Sequence, residues 1–178
     1  MKKLILCLSM LLFCYSLCLA KITVINDEFN GTEYYKTEHA NLSYVKAGFD
    51  TWGQIRFRTA NGDKSIIIMD FVISYTPQSV FTLDKAQIKF SNNETIDFIP
   101  ENKISTDGIN FSYTGSGNQF VLCSKILSEK DIENIKSQAV MFRLETGRHF
   151  KNIKISKSEA TKISNLLNEL LKFLGENK

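Results

Sequence analysis

The chain has 178 residues, a net charge of +3 from 22 basic and 19 acidic side chains, and a hydrophobic fraction of 43%. A chain of this length can bury a sizeable apolar core and is typical of one domain. Because no basic stripe or block of like charge occurs, the sequence gives no support to a nucleic-acid-binding protein or to a protein held on a membrane by charge.

Residues 1–20 have the pattern of a signal peptide. Lys2 and Lys3 form a positive amino-terminal region, residues 4–17 are predominantly apolar, and Ala20 is a small residue at the cleavage position. The apolar run is too short to span a hydrocarbon core of about 30 Å comfortably. We therefore expect cleavage after Ala20, no transmembrane segment in the remaining chain, and a periplasmic or secreted protein.

Cysteine usage changes once this leader is removed. Cys7, Cys14 and Cys18 belong to the leader, so that only Cys123 is left and no internal disulfide can form. A bacterial lipoprotein signal is the less favoured alternative, because it needs a small residue before its cysteine and large ones precede Cys14 and Cys18. We expect Cys123, in an alternating stretch, to be a small buried hydrophobe with an unreactive thiol.

The central part of the chain predicts a β-hairpin. Residues 54–59 and 65–75 alternate in polarity, and Asn61-Gly62 lies between them. An Asn-Gly pair favours a tight hairpin turn because both residues tolerate positive φ. The second strand is mostly apolar on both faces, so we expect it to be central and covered on both sides. Further strands are expected at residues 22–25, 86–90, 95–99 and 119–127, and a long surface loop at residues 100–118.

Helix signals begin at Ser128. Ser128 and Asp131 resemble a capping box ahead of a short apolar stripe, which predicts a helix of about three turns. Residues 140–146 alternate again, and Gly147 permits a turn into a strand at residues 149–155.

The final helix has the clearest pattern in the chain. Ser156 and Glu159 form a second capping box, and Gly175 is placed where a helix end is expected. Apolar residues follow at helical spacing: Ala160, Ile163, Leu166, Leu167, Leu170, Leu171 and Leu174. We expect this stripe to pack against a sheet as part of the core.

Together these segments predict an α+β fold in a single domain over residues 21–178. We expect an antiparallel β-rich body, a sandwich or a curved sheet, over residues 21–127. A helix, two strands and the final helix complete the domain.

The sequence contains no recognised catalytic or metal-binding motif. It has no CxxC, no glycine-rich phosphate loop and no GxSxG elbow, and nothing brings His149 towards Cys123. His39 and His149 are expected to be structural. We therefore predict no catalytic residue, no metal and no cofactor.

Asp70 is the carboxylate of most interest, because it interrupts an apolar strand. Burying it without a partner would be costly, and Arg143 or Arg56 would satisfy it. The favoured interpretation is nevertheless a strand-end or edge aspartate that faces water. A small envelope hydrolase using two carboxylates is the alternative function, and it would need them held about 5 Å or 6.5–9.5 Å apart.

Residues 29–52 are rich in aromatic side chains, and they supply the predicted binding residues Tyr34, Tyr35 and Trp52. Exposed aromatic side chains give large contact areas with few rotamers to freeze. Burial in a β-rich core is the competing interpretation and the favoured one. The sequence thus predicts a non-catalytic binding or interaction module whose partner is an envelope protein, a peptide or a glycan.

The carboxy-terminal part resembles uncharacterised small exported proteins of Bacteroidetes-type bacteria. The resemblance rests on Ser128-Glu129-Lys130-Asp131-Ile132, on Val140-Met141-Phe142-Arg143-Leu144-Glu145-Thr146 and on the capped final helix, over about residues 118–174. It implies export and the fold, and it carries over no functional residue.

Overall fold

The computed structural model describes residues 22–46, 49–75, 84–99, 119–146 and 149–176. Within these ranges the side chains of residues 43–46, 49–52, 74–75, 119–121, 146 and 149 are not described. The predicted leader and the predicted loop at residues 100–118 lie outside the described residues.

The described residues form ten strands and two helices. The strands are β1 (Thr23–Asp27), β2 (Thr32–Lys36), β3 (Ala40–Lys46), β4 (Phe49–Ala60), β5 (Asp63–Tyr75), β6 (Lys85–Phe90), β7 (Thr95–Phe98), β8 (Gln119–Ile126), β9 (Ala139–Thr146) and β10 (His149–Lys154). The helices are α1 (Glu129–Lys136), between β8 and β9, and α2 (Lys157–Glu176), after β10. The predicted β-rich α+β class is confirmed.

Six strands form the larger sheet, in the order β1-β2-β4-β5-β8, with β3 also pairing with β4. All of these pairs are antiparallel. The predicted hairpin at Asn61-Gly62 is confirmed: it joins β4 to β5, and Gly62 has a φ of 76°.

Strands β2 and β3 lie one after the other along the same edge of β4. Lys36 pairs with Arg58, and Ala40 begins the β3 register opposite Ile55. Between them the Thr37 amide donates to the Phe57 carbonyl at 2.9 Å, and the Thr37 hydroxyl accepts from the Phe57 amide at 3.1 Å. This bend sets the position of residues 37–39 beside β4.

The four-stranded sheet has the order β10-β9-β6-β7 and is also antiparallel. It faces the larger sheet across the core. The Phe71 ring of β5 meets Phe98 of β7 and Phe142 of β9 edge-on, with ring centroids 5.6 and 5.7 Å apart. All three rings are fully buried.

Helix α1 begins at the predicted capping box, which is confirmed. The Asp131 amide donates to the Ser128 hydroxyl at 3.2 Å, and the Ser128 amide donates to the Asp131 carboxylate at 3.0 Å. The helix has 8 residues, so it is shorter than the three turns expected from the sequence. Its end is followed by Gln138 with a φ of 75°, from which β9 begins one residue later.

Helix α2 packs against β3, β4 and β9, which confirms the predicted helix on a sheet. Its capping box is present: the Ser156 amide donates to the Glu159 carboxylate at 2.8 Å. Leu167 and Leu170 are fully buried, as expected from the stripe. The helix continues through Gly175 to Glu176, so the prediction that it ends at Gly175 is wrong. Neither this helix nor α1 is long and apolar enough to cross a membrane.

Candidate functional site

The larger sheet has two faces of different chemistry. Side chains alternate along each strand, so Ile55 and Phe57 of β4 and Phe71 of β5 point into the core. The helices and the four-stranded sheet lie on this inner side, as the contacts of Phe71 and α2 show. The alternate residues form the opposite surface, which we call the outer face.

The outer face is divided along its length. Residues on β2 and β4 form a cationic strip, made of Lys36, Arg56 and Arg58. Residues on β5 and β8 form an apolar strip, made of Ile68, Val72, Leu122 and Ile126. Asp70 and Ser124 form a polar row between the two apolar pairs of this strip, and Asp70 is opposite Arg56 of the cationic strip.

Asp70 is fully buried, with 0% of its side chain exposed, and it is held by three side chains. Its Oδ2 atom accepts from the Nε atoms of both Arg56 and Arg58, each at 2.9 Å. Its Oδ1 atom accepts from the Ser124 hydroxyl at 2.7 Å. Register explains this arrangement, since Asp70 is opposite Arg56 on one side and Ser124 on the other, and Arg58 is two residues from Arg56 on the same face.

These contacts keep the Asp70 carboxylate charged. Burial by itself raises the pKa of Asp70, but the hydrogen bonds from Arg58, Ser124 and Arg56 and the charge of Arg58 together outweigh burial, and the pKa is below its ordinary value of 3.8. An ionised carboxylate with every contact a donor cannot act as a general acid at neutral pH.

The site holds more positive than negative charge. Two guanidinium groups contact one carboxylate, and Lys36 lies opposite Arg58. Both contacts use Nε, and among the described residues no acceptor is within hydrogen-bond distance of the Nη atoms of Arg56 or Arg58. The two side chains are 23% and 27% exposed, so each is partly accessible from the outer face.

The pKa of His39 is affected by the same excess of positive charge. It lies in the bend between β2 and β3 and is half-buried. Burial lowers the pKa of His39, and the nearby charges of Arg56 and Lys36 lower it further, against smaller opposite effects of Asp70 and Glu38. His39 is therefore neutral at pH 7. The side chain of His149 lies outside the described residues.

The apolar strip is left open by the described elements. Ile126 is 64% exposed, and Ile68, Val72 and Leu122 are half-buried. Because α1, α2 and the four-stranded sheet are on the inner side, none of them covers this strip. The prediction that both faces of β5 are covered is thus met on the inner face only, within the part of the chain that the structure describes.

The structure separates Tyr34 from Tyr35, two of the three aromatic residues proposed from the sequence. Tyr35 is 6% exposed and lies on the inner face, with its ring 5.3 Å from that of Phe173 and its hydroxyl donating to the Glu33 carboxylate. Its neighbour Tyr34 is half-buried on the outer face. The backbone of Trp52 lies in β4, but its side chain is not described. Tyr35 is therefore a core residue, and binding by Tyr34 and Trp52 stays a prediction.

One of the two predictions about Asp70 is wrong and the other is confirmed. The favoured interpretation, an aspartate facing water, is wrong, because the side chain is buried in mid-strand. The predicted pairing with Arg56 is confirmed, whereas Arg143 lies on β9 and donates to Asn152 at 2.7 Å. Arg58 and Ser124 were not predicted. Arg58 shares a strand face with Arg56, but Ser124 is far away in sequence and gave no signal.

Cys123 lies on the inner face opposite Phe71 and is 1% exposed. Burial raises the pKa of the Cys123 thiol to about 12. The predicted burial is confirmed, and the high pKa keeps the sulfur in its poorly nucleophilic thiol form at neutral pH.

A second surface, beside α2, offers less. A groove of about 450 Å³ beside the first turns of α2 carries charges of both signs, and Lys162 there is 3.7 Å from Glu38. No group of three or more His, Cys, Asp or Glu side chains among the described residues could hold a metal ion. The outer face is therefore the candidate site.

Comparison of the chain with protein-family models, with curated proteins and with solved structures gave no match in any of the three. The candidate site consequently stands on its own geometry and chemistry.

Proposed function

We propose that the protein is an exported, non-catalytic binding module of the bacterial envelope, and that it binds its ligand through the outer face of the six-stranded sheet. One observation carries the proposal: a buried carboxylate orients two guanidinium groups beside an apolar strip that no described element covers. Directed N–H donors next to exposed apolar side chains are the usual composition of a binding surface.

A purely structural ion pair would be built differently. One arginine is enough to neutralise Asp70, and a second adds a positive charge that must itself be kept partly hydrated. An exposed isoleucine at the same place gains little from burial in the folded chain. Both features become favourable when a ligand covers the face.

Catalysis by carboxylates fits this geometry poorly. Asp70 is ionised and surrounded by donors, and within the described residues no second carboxylate is in contact with its cluster. A glycosidase-type mechanism needs two carboxyl groups, one of them protonated. Binding without catalysis is therefore the function that we favour.

Export is supported by the sequence alone. The amino-terminal pattern and the resemblance to small exported proteins of Bacteroidetes-type bacteria both favour it. Processed protein purified from the envelope should begin at Lys21 when its amino terminus is sequenced. A retained leader would contradict export by this route. A lipid-modified cysteine at the amino terminus would show instead that the protein is a lipoprotein anchored to a membrane.

The binding function is tested by variants on the two sheets. The processed protein is immobilised and exposed to envelope extract, and retained molecules are identified by mass spectrometry. We expect a ligand that is retained by the wild type and by Lys89→Gln, an exposed control on β6, and lost by the double variant Lys36→Gln, Ile126→Ser. Equal retention by all three proteins, or no retention by any, would contradict the proposal.

A further inference from the structure

The division of the outer face into two strips indicates what kind of molecule it binds. Building on the proposed binding function, we propose that the ligand is a monoanionic amphiphile, in which a carboxylate is joined to an apolar chain. The carboxylate lies on the Nη groups of Arg56 and Arg58, and the apolar chain lies along the pair of Ile68 and Ile126, which is next to Arg58 in the register.

The arginine pair is already arranged for a carboxylate. Each guanidinium is fixed through its Nε atom to Asp70, which leaves its Nη atoms as the remaining donors. A planar group with two N–H donors matches the two oxygens of a carboxylate. Since Asp70 restricts the side chains before the ligand arrives, less conformational entropy is lost on binding.

The charge around Asp70 favours one negative charge on the ligand. Two guanidinium groups and one carboxylate leave a single positive charge at the centre of the site. Lys36, opposite Arg58 at the rim, adds a second positive charge outside this centre, and His39 adds none because it is neutral. A monoanion therefore balances the two guanidinium groups and Asp70 by itself, whereas a phosphate dianion would also need the charge of Lys36.

The apolar strip continues directly from the charged centre. In the β5–β8 register Asp70 is opposite Ser124, with Val72 opposite Leu122 on one side. Ile68 is opposite Ile126 on the other side. Each apolar pair is two residues from the charged row on the same face, about 7 Å along the strand. A ligand with its carboxylate on the arginines can thus cover an apolar pair without leaving the sheet.

The test uses decanoate as the probe, at concentrations where it is monomeric, with isothermal titration calorimetry on the processed protein. Acetate supplies the anion without the apolar chain, 1-decanol the chain without the anion, and decyl phosphate the chain with a different anion. We expect decanoate to bind about tenfold more tightly than each of the other three, since each lacks a contact or carries excess charge.

Single substitutions test whether decanoate binds at the outer face. Arg58→Gln should weaken decanoate binding about tenfold, and Arg58→Lys less, because lysine keeps the charge and loses the planar donors. Lys36→Gln and Ile126→Ser leave all partners of Asp70 in place, and each should weaken binding about threefold. Lys89→Gln should bind as the wild type does. If Arg58→Gln fails to fold, as judged by circular dichroism, the Lys36 and Ile126 variants decide the result.

The outcomes separate this inference from the proposed function. The proposal of a monoanionic amphiphile is wrong if 1-decanol or acetate binds as tightly as decanoate, or if decyl phosphate binds more tightly. It is also wrong if Lys36→Gln and Ile126→Ser bind decanoate as the wild type does. If decanoate does not bind while capture from envelope extract still requires Lys36 and Ile126, the ligand class is wrong and the binding function stands. If decanoate does not bind and capture from envelope extract does not require Lys36 and Ile126, both proposals are wrong.

Discussion

The outer surfaces of the two sheets are built from the same antiparallel strands, yet they satisfy their charges in different ways. On the four-stranded sheet, Asp97 accepts from Lys85 and from Gln87, each at 2.8 Å, and Arg143 donates to Asn152 at 2.7 Å. In register Asp97, Gln87, Arg143 and Asn152 form a single row across the strands, and Lys85 lies two residues before Gln87 on the same face. We call this surface the polar face, and its charges are paired locally.

The outer face of the larger sheet lacks this balance. Asp70 receives two arginines, and apolar pairs take the positions that polar residues occupy on the polar face. Even the exposed aromatic of the polar face is partly covered, because the Arg143 guanidinium lies 4.6 Å from the centre of the Phe150 ring. Regular strand alternation with local pairing accounts for the polar face, and the different composition of the outer face supports our proposal that it binds a ligand.

The largest effect on this comparison should come from removing the buried carboxylate. Asp70→Ala leaves two guanidinium groups next to each other without their shared acceptor, and breaking a buried ion pair typically costs about 3–5 kcal/mol. Urea denaturation should show this loss in the free energy of unfolding. A loss below about 1 kcal/mol would mean that solvent already satisfies the arginines.

The stability of the protein at low pH should also show that Asp70 is a buried, paired carboxylate. Because the pKa of Asp70 is lower in the folded protein than its ordinary value of 3.8, its contribution to stability is fully present above that value. The contribution is lost as the pH falls through the lower, folded-state pKa. The stability difference between wild type and Asp70→Asn should therefore shrink as the pH falls below about 4. A difference that stays constant down to pH 2 would contradict the lowered pKa.

The matching change on the polar face should be small. Asp97 is 43% exposed, and exposed ion pairs are typically worth about 0–1 kcal/mol. Asp97→Ala should therefore lower the free energy of unfolding by less than about 1 kcal/mol, within that range. If it destabilises the protein as much as Asp70→Ala does, the two faces do not differ in the way described.

The smallest effect is expected in the apolar strip. Ile126 is mostly exposed, and surface substitutions away from special features usually change stability by less than about 0.5 kcal/mol. Ile126→Ser should accordingly leave the free energy of unfolding almost unchanged while it weakens ligand binding. Marked destabilisation would show that Ile126 belongs to the core.

The fold was predictable where local patterns determine it. Alternation and the Asn-Gly turn located β4 and β5, and the apolar stripe located α2. Strand β3 was missed, because its buried Ala40 and Leu42 form too short an alternation to stand out in sequence. Gly175 did not end α2, since glycine only permits a helix end and nothing local required one there.

The candidate site was predictable in part. Asp70 stood out as a charge within an apolar strand, and Arg56 was one of its two expected partners. Ser124 and Arg58 depend on strand register, which brings together residues up to 54 positions apart. Local sequence does not specify such long-range pairing, and it therefore could not show that one carboxylate receives two arginines.

The outer face, and not the polar face, should bind the ligand. Chemical-shift mapping of the isotopically labelled, processed protein with decanoate tests this most directly. We expect backbone amide shifts to concentrate at residues 56–58, 66–72 and 122–126, with residues 85–89 and 95–98 unaffected. Shifts concentrated at residues 85–89 and 95–98, or an even distribution over both sheets, would contradict it.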